Sequence, residues 1–275
     1  MNTKLILVEG IPGSGKSTIA AKIARRYEAL GRQVNLYQEG QLHPADLGWI
    51  ACVPAAQFDG VLKKHPLLRG QIKRNTAFEG DYALIAYTQV RHGGKTFHEE
   101  MEALEVYDGR APDEAFYGLH YGRWRAFNGC AAQGDALTIF ECAFLQNHVS
   151  ELLFWRGADE GAVTLHCNRL LECVEPLSPV LIYLSQPDMR ETVLRAARER
   201  DQWLERVVAY CEVCPYGKLH GIKGFDGAME TFALRKQLEL KILDQLDIPH
   251  VIIENPDYDW DAVWAQITAY LDGPA

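Results

Sequence analysis

The sequence of 275 residues lacks any long hydrophobic run. Its uncharged apolar stretches fall far short of the roughly 20 residues that a membrane-spanning helix needs. The N-terminal stretch is apolar only up to Val8 and then reaches Glu9, without the small-residue cleavage site of a signal peptide. We therefore expect no membrane partner and no secretory leader.

The chain also contains fewer basic than acidic residues. The chain has 28 Lys and Arg against 37 Asp and Glu, so its formal net charge is 28 − 37, or −9. An acidic protein of this kind is not a general binder of polyphosphate backbones, although a local basic patch stays open. Nucleic acid is therefore disfavoured as a partner.

The seven cysteines show no paired framework spacing, and seven is an odd number. This usage indicates reduced thiols and a cytoplasmic protein. Internal repeats and low-complexity tracts are absent from the sequence as well. With 48% hydrophobic residues, the composition is that of an ordinary globular protein, and we expect a single domain over residues 1–275.

One motif carries most of the functional information. Residues 10–17 read GIPGSGKS and match the Walker A pattern G-x-x-x-x-G-K-[ST] at every fixed position. The largely apolar residues 4–8 before it predict a buried strand, and the apolar spacing from Ile19 to Leu30 predicts a helix that ends at Gly31. The motif therefore lies between a strand and a helix, as a phosphate-binding loop requires.

The chemistry of such a loop follows from its residue types. Glycines let successive backbone N–H groups point at phosphate oxygens, and the helix N-terminus favours an anion. Lys16 is expected to reach the β- and γ-phosphates, and Ser17 to offer its hydroxyl to Mg²⁺. The residues predicted to bind nucleotide are Gly10, Pro12, Gly13, Ser14, Gly15, Lys16, Ser17 and Thr18, together with Asn255 at a later strand end.

Further short apolar runs predict four more strands, separated by helical patterns. This alternation favours a parallel sheet wound with helices. Because ligands bind at the carboxyl ends of such strands, Glu39, Glu141 and Asn255 are expected around one crevice with the loop. The four runs are residues 34–37, 136–140, 180–184 and 250–253.

Two connections are unusually long. Residues 41–135 show helical patterns and predict either an acceptor-binding insertion or an additional packing layer. Residues 186–247 predict a lid, which begins with an arginine-bearing helix and continues through a glycine-rich stretch that contains Cys211 and Cys214. These two cysteines are interpreted as free thiols, with a zinc site as the alternative if further ligands join them.

With these parts in order, the chain resembles the P-loop kinases of nucleosides and nucleotides, particularly thymidylate kinases and deoxynucleoside kinases. Four segments carry the resemblance: Val8–Thr18, Glu39 directly after the second strand, Val180–Arg200, and Val251–Leu271. It implies a five-stranded sheet in the order 2-3-1-4-5 and an ATP–Mg²⁺ donor. It also implies a mobile lid whose arginines neutralise the transferring phosphoryl group.

The sequence departs from these families after the third strand. There the families carry an acid followed by an arginine that holds phosphate, whereas Glu141 is followed by Cys142. Unless Arg123 or Arg125 substitutes for that arginine, a nucleoside monophosphate is a poor acceptor. We therefore predict a small acceptor with an uncharged hydroxyl, which need not be a nucleoside.

The resemblance implies roles for further residues. Glu39 occupies the position of the base that deprotonates the acceptor hydroxyl, and Ser17 with Glu141 would hold Mg²⁺. The lid arginines Arg195, Arg198 and Arg200 would close over the γ-phosphate, or they form a solvated, salt-bridged helix face.

Two residues just after Glu39 are further candidates. His43 and Asp46 could orient the acceptor, or His43 is a structural loop histidine.

The sequence thus predicts an ATP-dependent small-molecule kinase. The alternatives are an ATP-hydrolysing regulatory protein without an acceptor, and a polynucleotide 5′-hydroxyl kinase. The preference for ATP over GTP and the oligomeric state, a homodimer included, stay open.

Overall fold

The computed structural model describes residues 3–273. The chain folds into two compact units. The parallel-sheet unit consists of the chain up to Glu39 and from Arg125 onward, and the inserted unit is Gly40–Trp124. The insertion was predicted at residues 41–135. The observed C-terminal boundary, Trp124, comes earlier than the predicted one. It falls inside a continuous helix, Asp113–Ala131.

The strands of the described chain form two sheets. In chain order they are β1 (Leu5–Gly10), β2 (Val34–Tyr37), β3 (Ala51–Pro54), β4 (Thr76–Glu79), β5 (Tyr82–Ile85), β6 (Leu137–Glu141), β7 (Val180–Ser185) and β8 (His250–Glu254). The five-stranded sheet has the order β2-β6-β1-β7-β8, with all of its strands parallel. This is the order 2-3-1-4-5 of the five predicted strands, so the predicted α/β fold is confirmed.

The helices are α1 (Lys16–Ala29), α2 (Phe58–Lys64), α3 (Arg69–Arg74), α4 (Gly94–Glu102), α5 (Asp113–Ala131), α6 (Gln146–Ser150), α7 (Glu160–Val174), α8 (Met189–Arg198), α9 (Trp203–Val213), α10 (Pro215–His220), α11 (Gly224–Gln245) and α12 (Trp260–Asp272). A π-helical turn, Glu151–Trp155, follows α6. Within residues 3–273, no helix has both the length and the apolar character needed to cross a lipid bilayer.

The core of the parallel-sheet unit begins with β1. All six of its residues are buried, and alternate side chains point to opposite faces of the sheet. Ile6 and Val8 pack in one cluster with apolar residues of α1 and α12. Asp259 caps α12 by accepting hydrogen bonds from the backbone amides of Asp261 and Ala262, at 3.1 and 3.0 Å. This cap fixes the start of the last helix beside the sheet.

The inserted unit differs from the helical segment that was predicted. Its strands form an antiparallel sheet in the order β3-β5-β4, packed against α2 and α4 through residues such as Phe58 and Phe97. Each strand has only four residues, which is too short for a clear alternation of polar and apolar side chains. Gly80, with a φ of +54°, and Asp81 form the turn between β4 and β5.

The predicted lid region, residues 186–247, forms the helices α8 to α11. The last of these is a core helix, since Leu238, Glu239 and Ile242 are buried. The glycine-rich stretch of this region, around Cys211 and Cys214, is also largely helical. Cys214 caps the N-terminus of α10, and its Sγ accepts a hydrogen bond from the Gly217 amide at 3.2 Å.

Candidate active site at the phosphate loop

The phosphate loop runs from the end of β1 into the first turn of α1. Gly13 and Gly15 have φ angles of +84° and +92°, which side chains other than glycine rarely adopt. A Cβ on Gly13 would lie 2.7 Å from the carbonyl oxygen of Thr192, and one on Gly15 would lie 2.4 Å from the ring of Trp260. The loop therefore needs both glycines. It contains the predicted residues Gly10, Pro12, Gly13, Ser14, Gly15, Lys16, Ser17 and Thr18.

Two polar groups of the loop are poised for a phosphate. The Lys16 side chain is buried, and its Nζ donates a hydrogen bond to the carbonyl oxygen of Ile11 at 2.9 Å. Within the described residues, the buried Oγ of Ser14 makes no hydrogen bond. A buried hydroxyl without a partner costs free energy, and a phosphate oxygen in the loop would supply that partner.

The predicted metal ligands contact each other directly. The Ser17 hydroxyl in the first turn of α1 donates a hydrogen bond to Glu141 Oε1 at 2.5 Å. Glu141 is the last residue of β6 and is 3% exposed. A hydroxyl and a carboxylate beside a phosphate-binding loop are the oxygen ligands that Mg²⁺ prefers. These residues therefore fit a Mg²⁺ ion bound together with a nucleotide.

The structure places Glu39 beside this pair. The backbone amide of Glu39 donates a hydrogen bond to Glu141 Oε2 at 3.4 Å. The side-chain Oε1 of Glu39 accepts a hydrogen bond from Gln146 Nε2 at 3.1 Å. The thiol of Cys142 lies 3.9 Å from a carboxylate oxygen of each glutamate. One candidate ligand atom from each of Glu39, Glu141 and Cys142 lies within 4.8 Å of the other two.

The thiol between these carboxylates is held in its neutral form. Cys142 is buried, and burial raises the pKa of its thiol well above the usual value. Lys16 opposes this increase in the Cys142 pKa, whereas Glu39, Glu9 and Glu141 add to it. Cys142 also has a φ of +66°, so the backbone turns sharply directly after β6.

Asn255 follows β8 at the same edge of the sheet. It is 5% exposed, and its Nδ2 makes no hydrogen bond within residues 3–273. The amide of Tyr258 donates to the Asn255 carbonyl at 3.3 Å, which closes the turn before α12. The Asn255 side-chain amide is thus a buried donor that a nucleotide could use.

The three predicted lid arginines are all exposed and differ in their contacts. The Arg195 guanidinium lies over the Tyr258 ring, 3.7 Å from its centroid. Arg198 pairs with Glu191 on its own helix at 3.6 Å. Arg200 lies beyond the end of α8, 5.4 Å from the ring centroid of Trp203. Since α8 packs on the loop at Gly13 through Thr192 and Ala196, Arg195 is the arginine adjacent to that contact.

The other predicted acceptor residues fall mostly in the inserted unit. His43 Nδ1 accepts from the amides of Ala45 and Asp46 at 3.1 and 2.7 Å, so this ring nitrogen stabilises the local turn. Asp46 accepts hydrogen bonds from the Gly48 amide at 3.2 Å and from the Tyr107 hydroxyl.

The two predicted arginines lie on α5 and are separated by the unit boundary. Arg123 of the inserted unit pairs with Glu79 at 2.9 Å. Arg125 belongs to the parallel-sheet unit and is exposed.

Two residues of this site were not predicted from the sequence. Gln146 holds Glu39, and Glu9 binds the backbone that carries Gln146. Glu9 is an acid at the end of an apolar strand, directly before the Walker A glycine, and that unusual position is the signal that could have revealed it. Gln146 follows the third predicted strand, where the departure from the resembled families lies.

The sequence matches no protein-family model and no curated protein. Solved structures do match, among them thymidylate kinase from Candida albicans, which is 13% identical. The alignment covers 98% of this chain and 92% of that chain, with a TM-score of 0.41. A likeness at this level concerns the fold and assigns no role to any residue.

Proposed function

We propose that the protein is an ATP-dependent kinase that transfers the γ-phosphoryl group to a hydroxyl of a small acceptor, either nucleoside-like or another hydroxylated compound. One observation carries the proposal: the Glu39 carboxylate, held by Gln146, lies beside the Ser17–Glu141 pair at the phosphate loop. A base for a hydroxyl and a pair of metal ligands are thereby adjacent.

The proposed reaction needs positioning and charge stabilisation more than covalent chemistry by the protein. The acceptor oxygen bonds to the γ-phosphorus while the bond from that phosphorus to the β–γ bridging oxygen breaks. ADP leaves with the electron pair of the broken bond, and the hydroxyl proton moves to the Glu39 carboxylate. Lys16 and the loop amides bind the phosphates of the donor.

Ser17 and Glu141 would hold Mg²⁺, which when bound neutralises charge on the β- and γ-phosphates. The short contact between these two side chains supports this assignment, because it places a hydroxyl and a carboxylate where one ion could bind both. Arg195 would add positive charge near the γ-phosphate from the helix that packs on the loop.

The surroundings of Glu39 favour an acceptor without a phosphate group. Cys142, a neutral thiol, lies between the carboxylates of Glu39 and Glu141. A phosphorylated acceptor would bring further negative charge to this position, which the carboxylates would repel. A neutral hydroxyl compound avoids that repulsion.

The proposal extends to the cellular setting. All seven cysteines are free thiols, which suits the reducing cytoplasm. The net charge of −9 supports small molecules rather than nucleic acid as the binding partners.

An acceptor panel with ATP, Mg²⁺ and detection of products by mass tests the proposal. The panel contains nucleosides, nucleoside monophosphates and hydroxylated antibiotics. One compound is expected to gain one phosphoryl group, and Glu39→Gln is expected to lower that rate by about 10²- to 10⁴-fold. Glu160→Gln, which replaces an exposed acid paired with Lys241, is the matched control and is expected to retain the rate.

The alternatives give different results in the same assay. ATP hydrolysis that is indifferent to every compound would favour a regulatory ATPase over a kinase. Phosphorylation of oligonucleotide 5′ ends with a steep dependence on salt would favour a polynucleotide kinase.

A further inference from the structure

Glu9 is a fully buried carboxylate at the end of β1, one residue before the phosphate loop. Strand alternation places it on the face opposite Ile6 and Val8. Its Oε1 accepts a hydrogen bond from the backbone amide of Phe144 at 2.8 Å, and its Oε2 accepts one from the amide of Gln146 at 3.0 Å. Both carboxylate oxygens are therefore used to hold one short segment.

That segment links the metal-ligand strand to the residue that contacts the proposed base. It leaves β6 after Glu141 and reaches α6, whose first residue is Gln146. The Gln146 side chain is 7% exposed, and its Nε2 donates to Glu39 Oε1 at 3.1 Å. Fixing the backbone at Gln146 thus limits where its amide, and with it the Glu39 carboxylate, can lie.

We propose that Glu9 is a positioning residue of the acceptor site, which holds the Phe144–Gln146 backbone so that the Gln146 side chain orients the Glu39 carboxylate. Glu9 acts through Gln146 and does not itself contact the reactants. This inference rests on the proposed function, because it assigns Glu9 to the orientation of the proposed base.

A carboxylate suits this role better than any neutral side chain. An ionised carboxylate offers two acceptor oxygens to two N–H donors, whereas the amide of a glutamine would turn its NH₂ group towards one of them. The loss of one acceptor leaves a buried backbone N–H unpaired, which releases or shifts the segment. A Glu9→Gln variant therefore keeps the size of the side chain and removes one bond.

Ionisable groups from several parts of the parallel-sheet unit interact electrostatically with Glu9. They are Tyr183 on β7, Glu239 on α11, Cys167 on α7 and Cys142 after β6. Burial and the nearby Glu239 raise the pKa of Glu9 to about 7, although the amide hydrogen bonds oppose this increase. Burial therefore disfavours the charged form of Glu9, and the two amide hydrogen bonds favour it.

A double-mutant cycle separates this role from general support of the fold. The variants are Glu9→Gln, Gln146→Leu and the double variant, and the measurements are kcat, the KM for ATP and the KM for the acceptor. Each single change is expected to lower kcat by about 10- to 100-fold, the usual effect of losing an outer-shell partner, with little change in the KM for ATP. The double variant is expected to be no slower than the slower single variant.

Glu239→Gln is the matched control. Glu239 is also a fully buried carboxylate, but it contacts Tyr183 and Arg235 rather than the Phe144–Gln146 segment. Its replacement is expected to lower stability while kcat stays within about 3-fold of wild type, because the acceptor site keeps its own contacts. Multiplied losses in the double variant, or an unchanged kcat in Glu9→Gln, would overturn the proposal.

Hydrogen exchange tests the same proposal without any turnover. In Glu9→Gln the amides of residues 142–147 are expected to exchange about 10-fold faster or more, because protecting hydrogen bonds are lost, while β7 is unchanged. Unchanged exchange in this segment contradicts the proposal even if no acceptor is ever found. An active enzyme with normal kcat in Glu9→Gln would reject the proposal and leave the proposed function intact.

Glu9→Asp keeps the measurement informative if Glu9→Gln fails to fold. It preserves the charge, but its side chain is one methylene group shorter, so we expect longer or broken hydrogen bonds to the two amides. We expect a smaller fall in kcat with faster exchange of the same segment, and wild-type values for both would count against the role of Glu9.

Discussion

Ser17 and Glu141 are 124 positions apart in the sequence, yet the hydroxyl of one donates to the carboxylate of the other at 2.5 Å. The contact joins the first turn of α1 to the end of β6. It exists because β1, which leads into the loop, pairs in parallel with β6, so that both strands end at the same edge.

Ser17→Ala and Glu141→Gln are each expected to weaken the apparent affinity for Mg²⁺ by about 10- to 100-fold and to lower kcat. Each change removes one proposed oxygen ligand. The measurement is a Mg²⁺ titration of ATP turnover. Thr268→Ala, which removes a hydroxyl that bonds only within α12, is the control and should not shift the titration.

Gly15→Ala is expected to weaken ATP binding by about 10-fold or more and to destabilise the protein by more than about 1 kcal/mol. The reason is a combination of backbone strain with a clash at 2.4 Å against the Trp260 ring. Denaturant unfolding and nucleotide titration measure the two effects.

Gly31→Ala separates strain from clash. Gly31 has a φ of +81°, but a Cβ there would meet nothing within 4 Å, so only the backbone strain applies. Equal destabilisation by Gly15→Ala and Gly31→Ala would show that the Trp260 contact has no cost.

Arg195→Ala is expected to lower kcat by about 10-fold or more, and by a larger factor than Arg198→Ala or Arg200→Ala. Arg195 is adjacent to Ala196, which contacts Gly13, whereas Arg200 lies beyond the helix. Steady-state rates of the three variants provide the ranking. A larger effect of Arg200→Ala would transfer the proposed role to that residue.

Glu105 of the inserted unit is expected to make stability depend on pH. Burial raises its pKa to about 7 from an ordinary 4.5, so the folded protein holds this proton more tightly than the unfolded chain does. Its contribution to stability is therefore complete below pH 4.5 and is lost as the pH rises towards 7. As the pH rises across that window, the free energy of unfolding of Glu105→Gln should increase by up to about 3 kcal/mol relative to that of wild type. Denaturant unfolding at several pH values measures this gain.

His166 is expected to give the opposite pH dependence of stability. Burial lowers its pKa to about 3 from 6.5, so its contribution is present above pH 6.5 and is lost as the pH falls towards 3. His166→Gln should become more stable relative to wild type as the pH falls. If the stability of both variants, relative to wild type, changed in the same direction with pH, the assigned directions of the two pKa shifts would be contradicted.

The parallel sheet was predictable because each of its strands is a short apolar run next to a turn or a polar residue. β2 matches its predicted range, and β7 extends one residue beyond it. The Walker A pattern fixed the loop in the same way, since its glycines are required by local backbone angles. Sequence information within about ten residues of each element was sufficient to predict that element.

The inserted sheet and the second half of the site depend on distant contacts. The strand β5 is four residues long and is stabilised by pairing with β3 and β4, which no local pattern reveals. Likewise, the contact of Glu9 with the Gln146 amide joins residues 137 positions apart. Such residues can be recognised only after the sheet has been assembled.

The exposure of the cysteines differs, and one of them provides an accessible site for chemical labelling. Cys130 on α5 is exposed, whereas the other six cysteines are buried. Burial raises the pKa of several of these thiols, that of Cys52 to about 11, so they remain protonated and react slowly with alkylating reagents. A maleimide dye or spin label added to the unmodified protein should therefore attach at Cys130 first. Distance measurements from that position then require no engineered cysteine.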